Sequence, residues 1–202
     1  MRLRAPGFPV WVLILLCTSF CAAADLESAK RAYHQRDFAT AVKEFTELAE
    51  QGNDQAQLIL GKMYMLGQGV PKDSDQAMKW FKAAAVQGES EAQFFLGAMY
   101  LLPQKDIGEG LKWLRLSAEQ GDQDAQFLLG KAYMKGQKEL PRDPVQGDMW
   151  LRLAAKDNKK YYQDELQVAE RMMTAEERTK GNALATSWKA KPAPSNRDKS
   201  TP

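Results

Sequence analysis

Two chemistries are scarce in this sequence. Its 202 residues include one histidine, His34, and two cysteines, Cys17 and Cys21. Beyond position 21 there is no thiol, which excludes disulfides, thiolate nucleophiles and cysteine metal sites from the rest of the chain. One imidazole cannot complete a histidine metal set or a catalytic triad without partners, and none can be assembled around His34. His34 therefore reads as an ordinary surface or capping side chain, and no cofactor, metal or catalytic residue is expected. Charge of one sign is also lacking: the formal net charge is +2, which gives no strong pull toward nucleic acid.

Long apolar runs are missing too. Val10 to Phe20 is an uninterrupted, mostly apolar stretch, but it is shorter than the roughly 18 residues of a stable membrane-spanning helix. Arg2 and Arg4 precede it, and Ala22-Ala23-Ala24 follows with small residues where a signal peptidase reads them. Residues 1–24 are thus predicted to be a signal peptide cut after Ala24. Leu16 precedes Cys17 and Phe20 precedes Cys21, whereas lipid attachment needs a small residue there. Taking Arg2 and Arg4 from 28 basic residues leaves 26 against 26 acidic ones. The expected product is a neutral periplasmic or secreted monomer with no membrane span.

What the chain does contain is a repeat, the pattern to seek before any other. AQLILGKMY (56–64), AQFFLGAMY (92–100) and AQFLLGKAY (125–133) align, and each is followed by a block running from Asp73, Asp106 or Asp143 through Trp80, Trp113 or Trp150. Spacing within blocks is constant, whereas the Tyr-to-Asp interval between them is nine, six or ten residues. Length variation confined to one place marks a loop between rigid units.

Both blocks read as helices. Ala56, Leu60, Met63 and Tyr64 share one helical face, as do Ala77, Trp80, Phe81, Ala84 and Ala85. Asp73, Asp106 and Asp143 are N-cap candidates, and Gly88, Gly121 and Asn158 stand where a left-handed closing residue is wanted. Gly61, Gly97 and Gly130 lie inside helices, where glycine costs about 1 kcal/mol relative to alanine, so close approach of a partner helix is expected there. The three tryptophans and Tyr64, Tyr100 and Tyr133 fall on the core stripe and read as packing, not ligand stacking. Residues 25–52 form a divergent first unit, and repeats follow at 53–88, 89–121 and 122–158. Capping helices occupy 159–189, the second opened by a Thr174–Glu177 capping box, where Glu176 and Glu177 suit a helix start better than acid–base chemistry. The tail 190–202, with no apolar periodicity, is expected to be disordered. The fold class is all-α, an α-solenoid of stacked helix-turn-helix repeats with C-terminal capping helices.

These residues resemble the Sel-1-like repeats of the tetratricopeptide-repeat superfamily. Ala56, Leu60-Gly61, Tyr64, Gly67, Gly69-Val70, Asp73, Ala77, Trp80-Phe81, Ala84-Ala85 and Gly88 match that pattern. The second unit lacks the loop glycines and has Gly110 at the Ala77 place; the third has Glu139 for a loop glycine and Gly147 at that place. The resemblance implies a non-catalytic scaffold that binds another protein or peptide. It also brings an immunity-type inhibitor of an envelope-acting toxin into view. A β-lactam-hydrolysing reading, which belongs to cysteine-rich members, is disfavoured by the missing thiols. Glycan binding by exposed aromatics is a further alternative.

One pattern is left over. Leu58 and Met65 point away from the first-helix core face, and Phe94 with Leu101, then Phe127 with Met134, repeat the arrangement. Gln57, Gln93 and Gln126 sit beside them, with Lys62 and Lys131 nearby. This stripe is either an apolar groove with polar edges on a concave face, which takes a peptide or helix, or packing between repeats.

Overall fold

The computed structural model describes residues 26–102, 106–136, 140–157 and 159–192. The expected signal peptide, Glu139, Asn158 and the tail from 193 lie outside these residues. Every regular element among them is helical: α1 (26–34), α2 (Phe38–Glu50), α3 (Asp54–Leu66), α4 (Ser74–Ala85), α5 (Ser90–Tyr100), α6 (Ile107–Gln120), α7 (Gln123–Lys135), α8 (Pro144–Ala154), α9 (Lys160–Arg171) and α10 (Ala175–Ser187). A short 3-10 turn, Ala155–Asp157, links α8 to α9. The fold is an all-α solenoid of helix-turn-helix repeats closed by capping helices. Its residues fall into two compact units, divided in sequence after Trp80.

The first unit forms because α1, α2 and α3 each carry an apolar stripe too narrow to be buried alone. Ala29, Phe45, Leu48, Leu60, Met63 and Trp80 meet in its core. The helix starts are satisfied locally: Asp37 accepts from Thr40 N–H at 3.2 Å and Asn53 from Ala56 N–H at 2.8 Å. Each bond occupies a donor that the helix itself leaves orphaned. His34 is exposed, its ring edge-on to Tyr33 at 6.0 Å.

In the second unit the expected caps recur. Asp106 and Asp143 accept from Glu109 N–H and Gln146 N–H, both at 3.0 Å; in the first unit Asp73 does the same for Gln76 N–H. Glycine allows the helix pairs to approach closely. A Cβ on Gly97 would lie 2.9 Å from Leu114 N and 3.0 Å from Gly110 O; one on Gly130 would lie 3.0 Å from Leu151 N and 3.1 Å from Gly147 O. Gly110 and Gly147, departures from the first repeat's alanine, thus pair with the in-helix glycines so that backbones cross almost in contact. The tryptophans behave less uniformly. Trp80 and Trp150 are buried, but Trp113 is only half-buried, with Lys112 Nζ 5.9 Å from its ring centroid. Trp150 is sealed by Trp188, edge-on at 6.2 Å, so its burial depends on the capping segment and not on the repeat alone.

Beyond α10 the backbone stays attached. Lys191 N–H donates to Glu119 O at 2.7 Å and its ammonium pairs with Glu119 at 3.0 Å. The disorder expected from Ala190 therefore does not extend to residues 190–192, because the docked Trp188 brings them against the end of α6.

Candidate partner-binding surface

The glutamines bear on the two readings of the first-helix stripe, groove or packing. Gln57, Gln93 and Gln126 are buried and each donates its amide to a carbonyl near the end of the preceding helix: Ala49 O at 3.0 Å, Ala85 O at 3.1 Å and Ala118 O at 3.1 Å. Helix C-termini leave carbonyls without partners, and a side chain eight residues further on satisfies one in each repeat. They cannot form a polar edge to a groove. A helical wheel shows which residues share a face, but not what lies beyond the helix end.

The stripe residues divide. In the first unit Leu58 is buried, while Lys62 and Met65 are half-buried. In the second unit Phe94 and Leu101 are half-buried and pack on the core that contains Leu114 and Leu129. Phe127 and Met134 are buried. Helix α9 covers Phe127, whose ring centroid lies 5.1 Å from Tyr161 and 5.0 Å from Tyr162. Lys131 pairs with Glu165 of α9 at 3.2 Å and lies over the Phe127 ring. The last repeat's stripe is covered by the chain's own capping helix, because a terminal repeat otherwise leaves an apolar face in water.

That covering creates a new surface on α9. Tyr161, Val168 and Met172 are 59%, 52% and 60% exposed; Tyr161, Glu165 and Val168 fall on one helical face at i, i+4 and i+7, and Met172 follows as the residue that ends the helix. Beside them a cleft of about 340 Å³ opens between α7, α8 and α9. Met134, Leu151, Val168, Ala169 and Met172 form its walls and Lys131, Lys135 and Glu165 its charged rim. Tyr162, on the inner side of α9, donates its hydroxyl to Asp124; burial and that bond push its titration well above the usual tyrosine range.

A second polar assembly lies under α10. Asp148 is fully buried, at the position of Met78 and Leu111 in the earlier repeats. Arg152 Nε donates to Asp148 Oδ2 at 2.6 Å, and a terminal guanidinium nitrogen donates to Glu170 at 2.5 Å. Arg178 donates to Glu170 O at 3.0 Å. Asp148 Oδ1 is buried without a hydrogen-bond partner. Burial pushes this carboxyl above the usual carboxylate range while Arg152 pulls the other way. Gly181 lets α10 lie on the group, since a Cβ there would sit within 2.9 Å of three Asp148 side-chain atoms. Sequence reasoning passed over Asp148 and Arg152; the available signal was a carboxylate standing where two sister repeats have an apolar residue.

Among the described residues no group of three or more His, Cys, Asp or Glu side chains is placed to hold a metal, and no helix is long and apolar enough to cross a membrane. No curated protein matches the sequence. Among solved structures, one similar chain is a protective antigen present in uropathogenic Escherichia coli strains and displaying an SLR fold. It is 32% identical with a TM-score of 0.64, over 73% of this chain and 32% of that one. Another is a Sel1 repeat protein from Oxalobacter formigenes, 27% identical with a TM-score of 0.64, over 70% of this chain and 59% of that one. The chain thus spans about a third of the first and under two thirds of the second. The Sel1 repeat model matches residues 54–89, 90–122 and 123–159, more than half of the sequence, and the chain belongs to the Sel1 repeat family.

Proposed function

We propose that this protein is an exported, non-catalytic scaffold that recognises another protein through the α7–α9 face. The family as a whole supplies helical-repeat scaffolds for protein binding. The observation that carries the finer reading is the apolar stripe Tyr161, Val168 and Met172, left in water beside a cleft walled by Met134 and Leu151. Three large apolar residues along one helix and its end are costly to leave solvated, and a rimmed apolar patch of that kind suits a partner. The partner fitting it is an amphipathic helix that lays apolar side chains along α9 and carries an acidic residue toward Lys135. Such a helix would extend the way α9 itself lies on Phe127 of α7.

The test uses a photo-crosslinking residue at position 168 to identify the partner in cells, then measures binding with purified components. Met172→Asp and Val168→Asp are expected to weaken that binding at least tenfold, about 1.4 kcal/mol, because each puts a charge on the apolar face. Thermal stability should change by no more than about 0.5 kcal/mol, as for other exposed sites. Unchanged affinity in both variants overturns the assignment of this face.

A further inference from the structure

The opposite side of α9 borders a second, open cleft of about 760 Å³, lined by α8, the 3-10 turn, α9, α10 and the segment after α10. Leu153, Leu166, Ala185 and Trp188 supply its apolar surface, and Gln163, Asn182 and Thr186 supply neutral polar groups. Arg152, Lys156 and Lys189 are its charged lining residues, and no carboxylate is among the residues that line it.

Arg152 is held unusually firmly for a residue at a cleft. Its Nε–H and one terminal N–H are engaged by the fully buried Asp148 and by Glu170, so two carboxylates fix the plane of the guanidinium. The remaining N–H donors of the five on an arginine stay available for a ligand, and the side chain is 23% exposed. A buried carboxylate is expensive, and replacing buried ion pairs by apolar residues is often neutral or stabilising. The two earlier repeats have Met78 and Leu111 at this place, so the helix pair does not need a charge there. What the charge does achieve is the orientation of Arg152.

We infer that this cleft is a recognition site for a carboxylate attached to an apolar group, of which a peptide ending in a large apolar residue with a free C-terminus is the fitting example. The geometry points to Arg152 as the primary contact, because a planar guanidinium fork matches a carboxylate edge. Lys156 and Lys189 add positive charge at the rim. Leu153, Leu166 and Trp188 receive the apolar side chain. Facing Arg152 are Asp148 on its own helix, Glu170 on α9 and Arg178 on α10, so both anions near it are already engaged by arginines. This site shares no lining residue with the α7–α9 cleft, so either assignment can fail without the other.

The probe is acetyl-Ala-Phe-Leu with a free carboxylate, compared with its C-terminal amide and with inorganic phosphate, each titrated into the whole processed protein. Binding is followed by NMR at the Trp188 indole N–H and the Arg152 Nε–H. The acid is expected to produce saturable shifts at both, and the amide to bind about tenfold or more weakly, as loss of a hydrogen bond to a charged group implies. Arg152→Gln should weaken the acid by a similar factor. Because that change touches buried Asp148, the exposed pair Lys156→Gln and Lys189→Gln is the second variant. It should keep the spectrum of the free protein and weaken the acid about threefold at low salt, as screened rim charges do. Equal binding of acid and amide, phosphate binding as well as the peptide, or shifts that miss Trp188 would each overturn the inference.

Discussion

Asp148 illustrates how one side chain departs from the repeat that contains it. Its folded-state titration lies above the ordinary carboxylate value, first because it is desolvated, with Arg152 opposing. A raised carboxyl means that the folded protein binds this proton more tightly than the unfolded chain does. The stability tied to the group is therefore greatest below the unfolded value of about 4 and is lost as pH rises through the folded value. Urea unfolding of the protein and of Asp148→Asn, measured from pH 4 to pH 7, should show the wild type losing stability relative to the variant as pH rises; a flat difference would contradict the raised titration. Glu176 and Glu177 are shifted the other way, by Lys180 and by the Thr174 backbone N–H respectively. The difference between the two proteins is thus more informative than either slope alone. At this scale the Asp106 and Asp143 caps were legible, because a cap is a local bond over three residues. Gln126 was not, because its partner Ala118 belongs to the previous helix.

Helix faces were legible from periodicity, and α3 to α8 fall within the repeated blocks. Which face stays open was not legible, because it depends on α9, whose sequence is outside the repeat. Phe127 read equally as a groove or a packing residue, and Tyr161 and Tyr162 lie against it. The glycine crossings were half legible: the in-helix glycines signalled a close approach, but the reciprocal Gly147 looked like a mere departure from pattern. Gly130→Ala tests that crossing. Its Cβ would lie 2.8 Å from Leu151 Cγ and 3.0 Å from Leu151 N, and backbone cannot move aside as a side-chain tip can. Overpacking of this kind costs about 1–3 kcal/mol, more than the roughly 1 kcal/mol that alanine returns in helix propensity. Calorimetry should therefore show a lower melting temperature, and an unchanged or raised one would refute the close crossing.

For the molecule as a whole, export is a proposal carried by Arg2, Arg4, the apolar stretch ending at Phe20 and the small residues before Asp25. Expressed in a bacterium with an outer membrane, the full sequence should be recovered from the periplasm with Asp25 as its first residue by intact-mass measurement. A mass that retains Met1 would remove the proposal.

The way α9 sits on α7 also bears on copy number. Phe94 and Phe127 recur from block to block, so the stripe itself does not tell the array to stop. Tyr161 and Tyr162 supply that instruction by presenting a different outer surface to whatever comes next. A block added ahead of the last one would leave α9 and α10 resting on the same Phe127, Lys131 and Asp148, so the row is open to growth by duplication there, whereas removing the last block would take the seat of the terminator with it.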